Sequence, residues 1–174
     1  MSDQDTSPAL AYQLEMLRDE FRAVNETIRA GDDITKSIKE WAITVWVASV
    51  GGSLVNAEFR QYIVLTAIVP LVFWMVDTWH RVIQRRFIWR GMRIMDFLND
   101  GGLAKSFSEG RIVEFNVLDV GSRRETSPNF REFISWRRVM LFRTFSLLYF
   151  SLIFISITLW LLLLNYPLSQ PGGG

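Results

Sequence analysis

"PLVFWMVDTWHRVIQRRFIWR", residues 70–90, decides how this chain reads. It begins as an apolar run, becomes basic and aromatic, and has neither Gly nor Pro after its first residue. Asp77, His80, Arg81, Arg85, Arg86 and Arg90 follow directly on the apolar part. One helix that leaves a bilayer and continues into the cytoplasm accounts for this order. Trp74 and Trp79 suit the interfacial belt, and Asp77 marks its edge. Beyond it, Val82, Ile83, Phe87, Met92, Ile94, Met95, Phe97 and Leu98 keep apolar side chains among the arginines, so the extension is amphipathic. Gly91 weakens this helix without ending it, and Asn99, Asp100, Gly101 and Gly102 form a stop.

Working back from that stretch, residues 62–76 are apolar, with Pro70 mid-span and expected to kink the helix. Residues 58–61 are too short a link for anything but an antiparallel hairpin. Before it, WAITVWVASVGGSLVNA (residues 41–57) carries no charge and is at the short end for a spanning helix. Thr44, Ala48, Gly52 and Asn56 recur at i, i+4 and form a small or polar stripe. Such a stripe serves close helix packing or lines a pore, and both readings stay open. Further back, Leu10, Leu14, Leu17, Phe21, Val24 and Ile28 make a heptad seam among charged neighbours. This predicts a helix over 10–30 ending near Gly31, with Asp32 or Asp33 capping the next one. The seam packs on its own domain or self-associates.

Downstream, residues 111–120 (RIVEFNVLDV) have the β-branched content of a strand, although irregular packing also fits. Residues 121–129 read as a loop, and residues 130–143 as a second basic helix. It feeds an uncharged run within 144–165, the clearest spanning helix in the chain. Thr144, Ser151 and Thr158 recur every seven residues on one face of it. The organisation expected is an all-α integral membrane protein. A flexible tail (1–9) precedes the heptad helix (10–30) and a transmembrane hairpin (34–79, spans 41–57 and 62–79). A basic cytoplasmic segment (80–143), a third span (144–165) and a second tail (166–174) follow.

Charge placement sets the orientation. Of 19 Lys and Arg residues, all but Arg60 lie before residue 41 or within 81–143. The positive-inside rule then puts the N-terminus in the cytoplasm and the C-terminus outside, with three spans. No secretory signal pattern is seen at the start. Net charge is only +1, so bulk charge does not point to nucleic acid. There is no Cys and only one His, which leaves no thiolate chemistry and no His-based metal centre. No phosphate loop, nucleophile elbow or HExxH motif occurs. Glu109, Glu114 and Asp119 are too scattered to pair as acid and base. No enzyme, metal or cofactor is expected.

Arg85, Arg86, Arg90, Arg93, Arg123, Arg124, Arg137 and Arg138 form a basic cytoplasmic layer. They anchor helices at anionic headgroups, or they bind a phosphate-bearing ligand. In the second case Trp89, Phe115, Phe130 and Trp136 would stack bases.

The runs "KSIKEWAITVWVASVGGSL" and "YIVLTAIVPLVFWMVDTWHRVIQRRFIWR" resemble a group of small bacterial membrane proteins of defence islands, the SLATT-type effectors and the channel effector of the Hailong system. Pro70, Phe73, Trp74, Asp77, Arg86, Phe87 and Arg90 carry the resemblance, with Leu148, Tyr149 and Phe150 in the last span. It covers roughly residues 10–100 and 130–165. It implies a homo-oligomeric channel, a tetramer for preference, in the bacterial inner membrane. It further implies an effector that damages the infected cell's own membrane, and gating by a nucleotide or oligonucleotide from a partner nucleotidyltransferase. The alternative is a non-conducting membrane anchor that recruits a partner through its cytoplasmic helices.

Overall fold

The structure, a computed structural model, describes residues 7–55 and 58–165, with only the backbone of residues 143–145. It is all-helical, and no strand occurs among the described residues. Helix α1 runs Pro8–Val55, followed by a 3-10 helix over Arg60–Ala67. Then come α2 (Ile68–Asn99), α3 (Gly101–Glu109), α4 (Pro128–Phe133), α5 (Trp136–Met140) and α6 (Arg143–Asn165).

The heptad helix does not end at Gly31, as expected from sequence, but continues through it to Val55. A glycine inside a helix costs about 1 kcal/mol against alanine. Here the missing side chain makes room for Gln84, whose side-chain atoms lie 3.3 Å from where a Cβ would stand. Gln84 Nε2 donates to the Ile28 carbonyl at 3.0 Å and to Asp32 Oδ1 at 2.8 Å. Asp32 is thus a partner of α2 rather than a helix cap.

Three other expectations change. The second apolar segment opens as the 3-10 helix, and Pro70 is the third residue of α2. In a first turn the absent proline N–H removes no helical bond, so no kink is required there. Residues 130–143 form two short helices in place of one. Ser127 caps α4, its hydroxyl accepting from the Phe130 amide at 3.3 Å, with Pro128 at the first position. At the far end the Phe133 carbonyl accepts from Arg85 Nη1 at 2.7 Å, so this end of the helix has a partner outside it. Residues 111–120 form no strand. The Ile112 amide goes to Gln13 Oε1, that of Val113 to Ser106 Oγ and that of Leu118 to Glu20 Oε2. Backbone donors already taken by side chains have no ladder to join. The stop at Asn99 does occur, but α3 starts at Gly101.

The chain divides into two compact units. The first takes Met1–Asp33 and Arg81–Ser135. Its core is Leu17, Ile94 and Phe97, with Phe21, Leu103, Ile112 and Phe115 packed against them. Leu10 and Val24 are also buried, and Leu14 and Ile28 half-buried. The proposed oligomer seam (Leu10, Leu14, Leu17, Phe21, Val24, Ile28) is therefore largely consumed by the chain's own packing.

The second unit takes Ile34–His80 and Trp136–Gly174. Ala42, Trp74 and Tyr149 form its core, with Phe73 and Met140 against them. Its interior also holds polar contacts. Ser156 Oγ accepts from the Trp46 indole (2.8 Å) and the Thr66 hydroxyl (3.0 Å) and donates to the Leu152 carbonyl (3.1 Å). Tyr149 donates its hydroxyl to Asp77 Oδ2 at 3.1 Å, both side chains being buried. Two stretches are long and apolar enough to cross a membrane, Arg60–Asn99 and Ser146–Asn165. Only 33% and 17% of their most apolar windows is buried, whereas the core helix of a soluble protein is mostly buried. The described apolar part of α1, residues 41–55, falls below the length that spans a bilayer.

If α1 is continuous through Gly31, the amides of residues 29–34 exchange as slowly as those of the helix around them. Hydrogen exchange read by mass spectrometry checks this. Gly31→Leu, which displaces Gln84, is expected to speed exchange there at least tenfold; a fast-exchanging wild-type segment would show a break in the helix.

Candidate functional site

In the first unit the arginines are arranged around one buried ion pair. Arg90 Nε and Nη2 donate to Glu20 Oε1 and Oε2 at 2.8 and 2.9 Å. The side chains are 6% and 0% exposed. Arg90 also donates to the Asn116 carbonyl and lies over the Phe115 ring, 4.6 Å from its centroid. Phe115 in turn stacks on Phe97 at 4.6 Å. Glu20 takes a third donor, the Leu118 amide at 2.8 Å. Between them Glu20 and Arg90 fix the irregular segment after α3 onto α1 and α2. That segment needs fixing, because Glu114, Leu118 and Ser122 have φ of 59°, 62° and 50°, the left-handed region. For residues with a Cβ this costs of order 1 kcal/mol or more each, and the surroundings must hold them there.

Held in this way, the segment closes a cavity of about 500 Å³ against α2. Ile83, Arg86 and Phe87 line it from α2; Leu118, Asp119, Val120, Gly121, Arg123 and Arg124 line it from the segment. Gly121 has φ +73° and packs beside the Phe87 ring. Asp119 is partly engaged, its Oδ1 accepting from the Arg124 amide at 3.3 Å. The guanidinium groups of Arg86, Arg123 and Arg124 make no hydrogen bond or ion pair with the described residues. Three arginines and one aspartate among the lining residues leave an excess of positive charge, which favours an anion.

A second cavity, about 450 Å³, is lined by Trp89, Met92, Arg93, Met95 and Asp96 of α2, with Glu125, Ser127 and Asn129 opposite. Here the charge is reversed, two carboxylates to one guanidinium. The Ser127 side chain and amide hold the Glu125 carboxyl below its usual value of 4.5, with Arg93 adding to this. Serine and arginine thus keep Glu125 ionised, which makes this cavity a poor phosphate site.

The eight candidate arginines are therefore not one layer. Arg90 is spent on Glu20, and Arg85 on the Phe133 carbonyl and ring, 5.2 Å from the centroid. Arg93 lines the acidic cavity. Arg86, Arg123 and Arg124 come together. Arg137 and Arg138 lie on α5, in the second unit. Of the expected base-stackers, Trp89 packs between Phe130 and Phe133, at 5.7 and 5.5 Å, and Phe115 is covered by Phe97 and Arg90. Phe130 is buried, and Trp136 belongs to the second unit. Glu114 pairs with Lys105 at 2.6 Å, so it forms no acid–base couple with Glu109 or Asp119.

In the second unit, Thr44, Ala48 and Gly52 are exposed, and a Cβ on Gly52 would meet nothing within 4 Å. Ser151 is exposed and Thr158 partly so. The hydroxyls of Thr44, Ser151 and Thr158 donate to the carbonyls of Glu40, Leu147 and Phe154, one turn back. Asn56 and the Thr144 side chain lie outside the described residues. Sequence reasoning missed Glu20, Thr66 and Ser156. The one available signal was a glutamate flanking the heptad seam, opposite an arginine of the amphipathic extension.

Comparison with known protein families, with curated proteins and with solved structures found no match in any of the three. The residues themselves carry the functional argument.

Arg90→Ala leaves Glu20 buried without its countercharge, and a loss of about 3–5 kcal/mol is expected. Replacing both by methionine should cost clearly less than the single change. Denaturant melts of detergent-solubilised protein compare the two. Acid adds a second expectation. A carboxyl whose folded value is depressed stabilises above its unfolded value and ceases to as pH falls through the folded one. The wild type therefore loses stability as pH drops below about 4.5, and Glu125→Gln flattens part of that loss; parallel melts between pH 3 and 6 measure it.

Proposed function

We propose that this chain is a subunit of a homo-oligomeric membrane channel, an effector of bacterial anti-phage defence that breaches the inner membrane. In this reading it crosses the bilayer three times, N-terminus in the cytoplasm and C-terminus outside. Four subunits surround a pathway, and a nucleotide or oligonucleotide from a partner nucleotidyltransferase gates it from the cytoplasm. The observation that carries the channel is the direction of the polar stripes. Thr44, Ala48 and Gly52 on α1, and Ser151 on α6, face away from the unit's own core. Buried Ser156 and Thr66 and half-buried Trp46 already satisfy one another inside. Small and hydroxylated stripes turned outward are suited to a neighbouring subunit or to water. Because their hydroxyls bond back to their own helices, they make a weakly polar lining, which favours passive conduction over a coupled carrier.

The gating part rests on the resemblance and on Arg86, Arg123 and Arg124, whose charges are uncommitted. The rival reading, an anchor recruiting partners through the heptad seam, has lost most of its surface, because Leu10, Leu17 and Val24 are buried within the chain.

Single-channel recording in planar bilayers tests the proposal. Discrete conductance steps are expected from the wild type. Ser151→Leu with Thr158→Leu, and separately Thr44→Leu with Gly52→Leu, are expected to lower unitary conductance severalfold in at least one pair. Unchanged conductance in both pairs, with assembly intact by cross-linking, would refute a pathway along these faces. A silent wild type that inserts and assembles would refute the channel itself.

A further inference from the structure

The cavity of Arg86, Arg123 and Arg124 has an apolar rim that a soluble phosphate compound does not need. Leu118 is 56% exposed, Val120 46% and Ile83 41%. They stand among the three arginines that line the same cavity. The aromatic rings that would have received a base are spent elsewhere: Trp89 on Phe130 and Phe133, Phe115 on Phe97 and Arg90. The cavity therefore offers phosphate contacts and aliphatic contacts, and its one ring, Phe87, has Gly121 packed beside it.

The place of the cavity on α2 points the same way. The helix is continuous over Ile68–Asn99, and exposed Trp79 precedes Ile83 by one turn and Arg86 by two. An arginine that follows an exposed tryptophan on one continuous helix is in the sequence position from which basic residues reach lipid phosphates.

We infer that the cavity between α2 and residues 118–124 is a binding site for the headgroup phosphate of an anionic phospholipid. The strained backbone at Leu118 and Ser122, pinned through Glu20, holds the site in shape before the lipid arrives. Lipid is then its resting occupant, and a soluble phosphate ligand would have to displace it. The inference rests on the membrane-embedded reading of the chain and is independent of channel activity.

The test is native mass spectrometry of the full chain released from detergent, titrated with phosphatidylglycerol and with phosphatidylcholine of the same acyl chains. Phosphatidylglycerol should bind at least tenfold more tightly. Each arginine near a membrane surface contributes on the order of fivefold, so Arg86→Gln, Arg123→Gln and Arg124→Gln together should abolish that preference. Leu118→Ser with Val120→Ser should weaken binding of both lipids and keep the preference. Arg29→Gln with Arg111→Gln, exposed and outside the cavity, should change nothing. Equal binding of the two lipids by the wild type overturns the inference, whatever the variants do. So does a preference that survives the triple substitution. A short oligonucleotide or inorganic phosphate that binds the three arginines more tightly than phosphatidylglycerol also overturns it, in favour of a soluble ligand. Carbonate-resistant insertion, measured on every variant, separates failure of this site from failure of the membrane reading.

Discussion

Everything particular about the first unit depends on the buried pair of Glu20 and Arg90. Removing two charges from water is expensive, and their mutual attraction repays it only where further hydrogen bonds complete both groups. Here they do. Glu20 receives two guanidinium bonds and the Leu118 amide, and Arg90 adds the Asn116 carbonyl and the face of Phe115. The same contacts that satisfy the charges tie an irregular segment down to two helices. Without them, residues 111–127 would have few regular backbone bonds and three left-handed residues to maintain. With them, the segment is rigid enough to bring Arg123 and Arg124 beside Arg86.

Where two residues from different parts of the chain decide the outcome, sequence patterns say little. The apolar periodicities made the helices legible, because helix formation and burial of one face follow from spacing alone. The seam from Leu10 to Ile28 was visible, but what covers it was not. That depends on Ile94 and Phe97, which carry the same kind of apolar face and could as well have met another copy. Gly31 shows the opposite error. Its local meaning is a helix end, yet Gln84 needs the space it leaves, and a packing contact overrides a propensity of about 1 kcal/mol. Pro70 was placed mid-span because the apolar run starts at Tyr62. The α-helix itself starts at Ile68, which moves the proline into a harmless first turn.

The arginines were legible as a group and illegible as individuals. Composition makes all eight look alike. Arg90 and Arg85 are removed from the set by partners far away in sequence, Glu20 and Phe133, which no spacing rule connects to them. The irregular segment chose the rest, and residues 103–129 were where pattern reading had least to work with. Their one regular-looking stretch, RIVEFNVLDV, failed as a strand for want of a neighbour to pair with. Its amides found Gln13, Ser106 and Glu20 instead.

The second unit is organised on a different principle. Polar side chains pair inside it, Ser156 with Thr66 and Trp46, and Asp77 with Tyr149. Large apolar side chains are outside, with Trp41, Val72, Met75, Trp79, Leu147, Phe154 and Leu164 among those exposed. In water that arrangement exposes an apolar surface far larger than monomeric soluble proteins tolerate. In lipid it costs nothing, and interior hydroxyls become the means by which helices hold one another, since lipid gives apolar surfaces no reason to associate. The small, open face of Thr44, Ala48 and Gly52 then stands out as the part of the surface that lipid does not explain. Hydrocarbon would be better met there by the leucines and phenylalanines that cover the rest. A face kept small and weakly polar among such neighbours has the shape that lets helices approach closely.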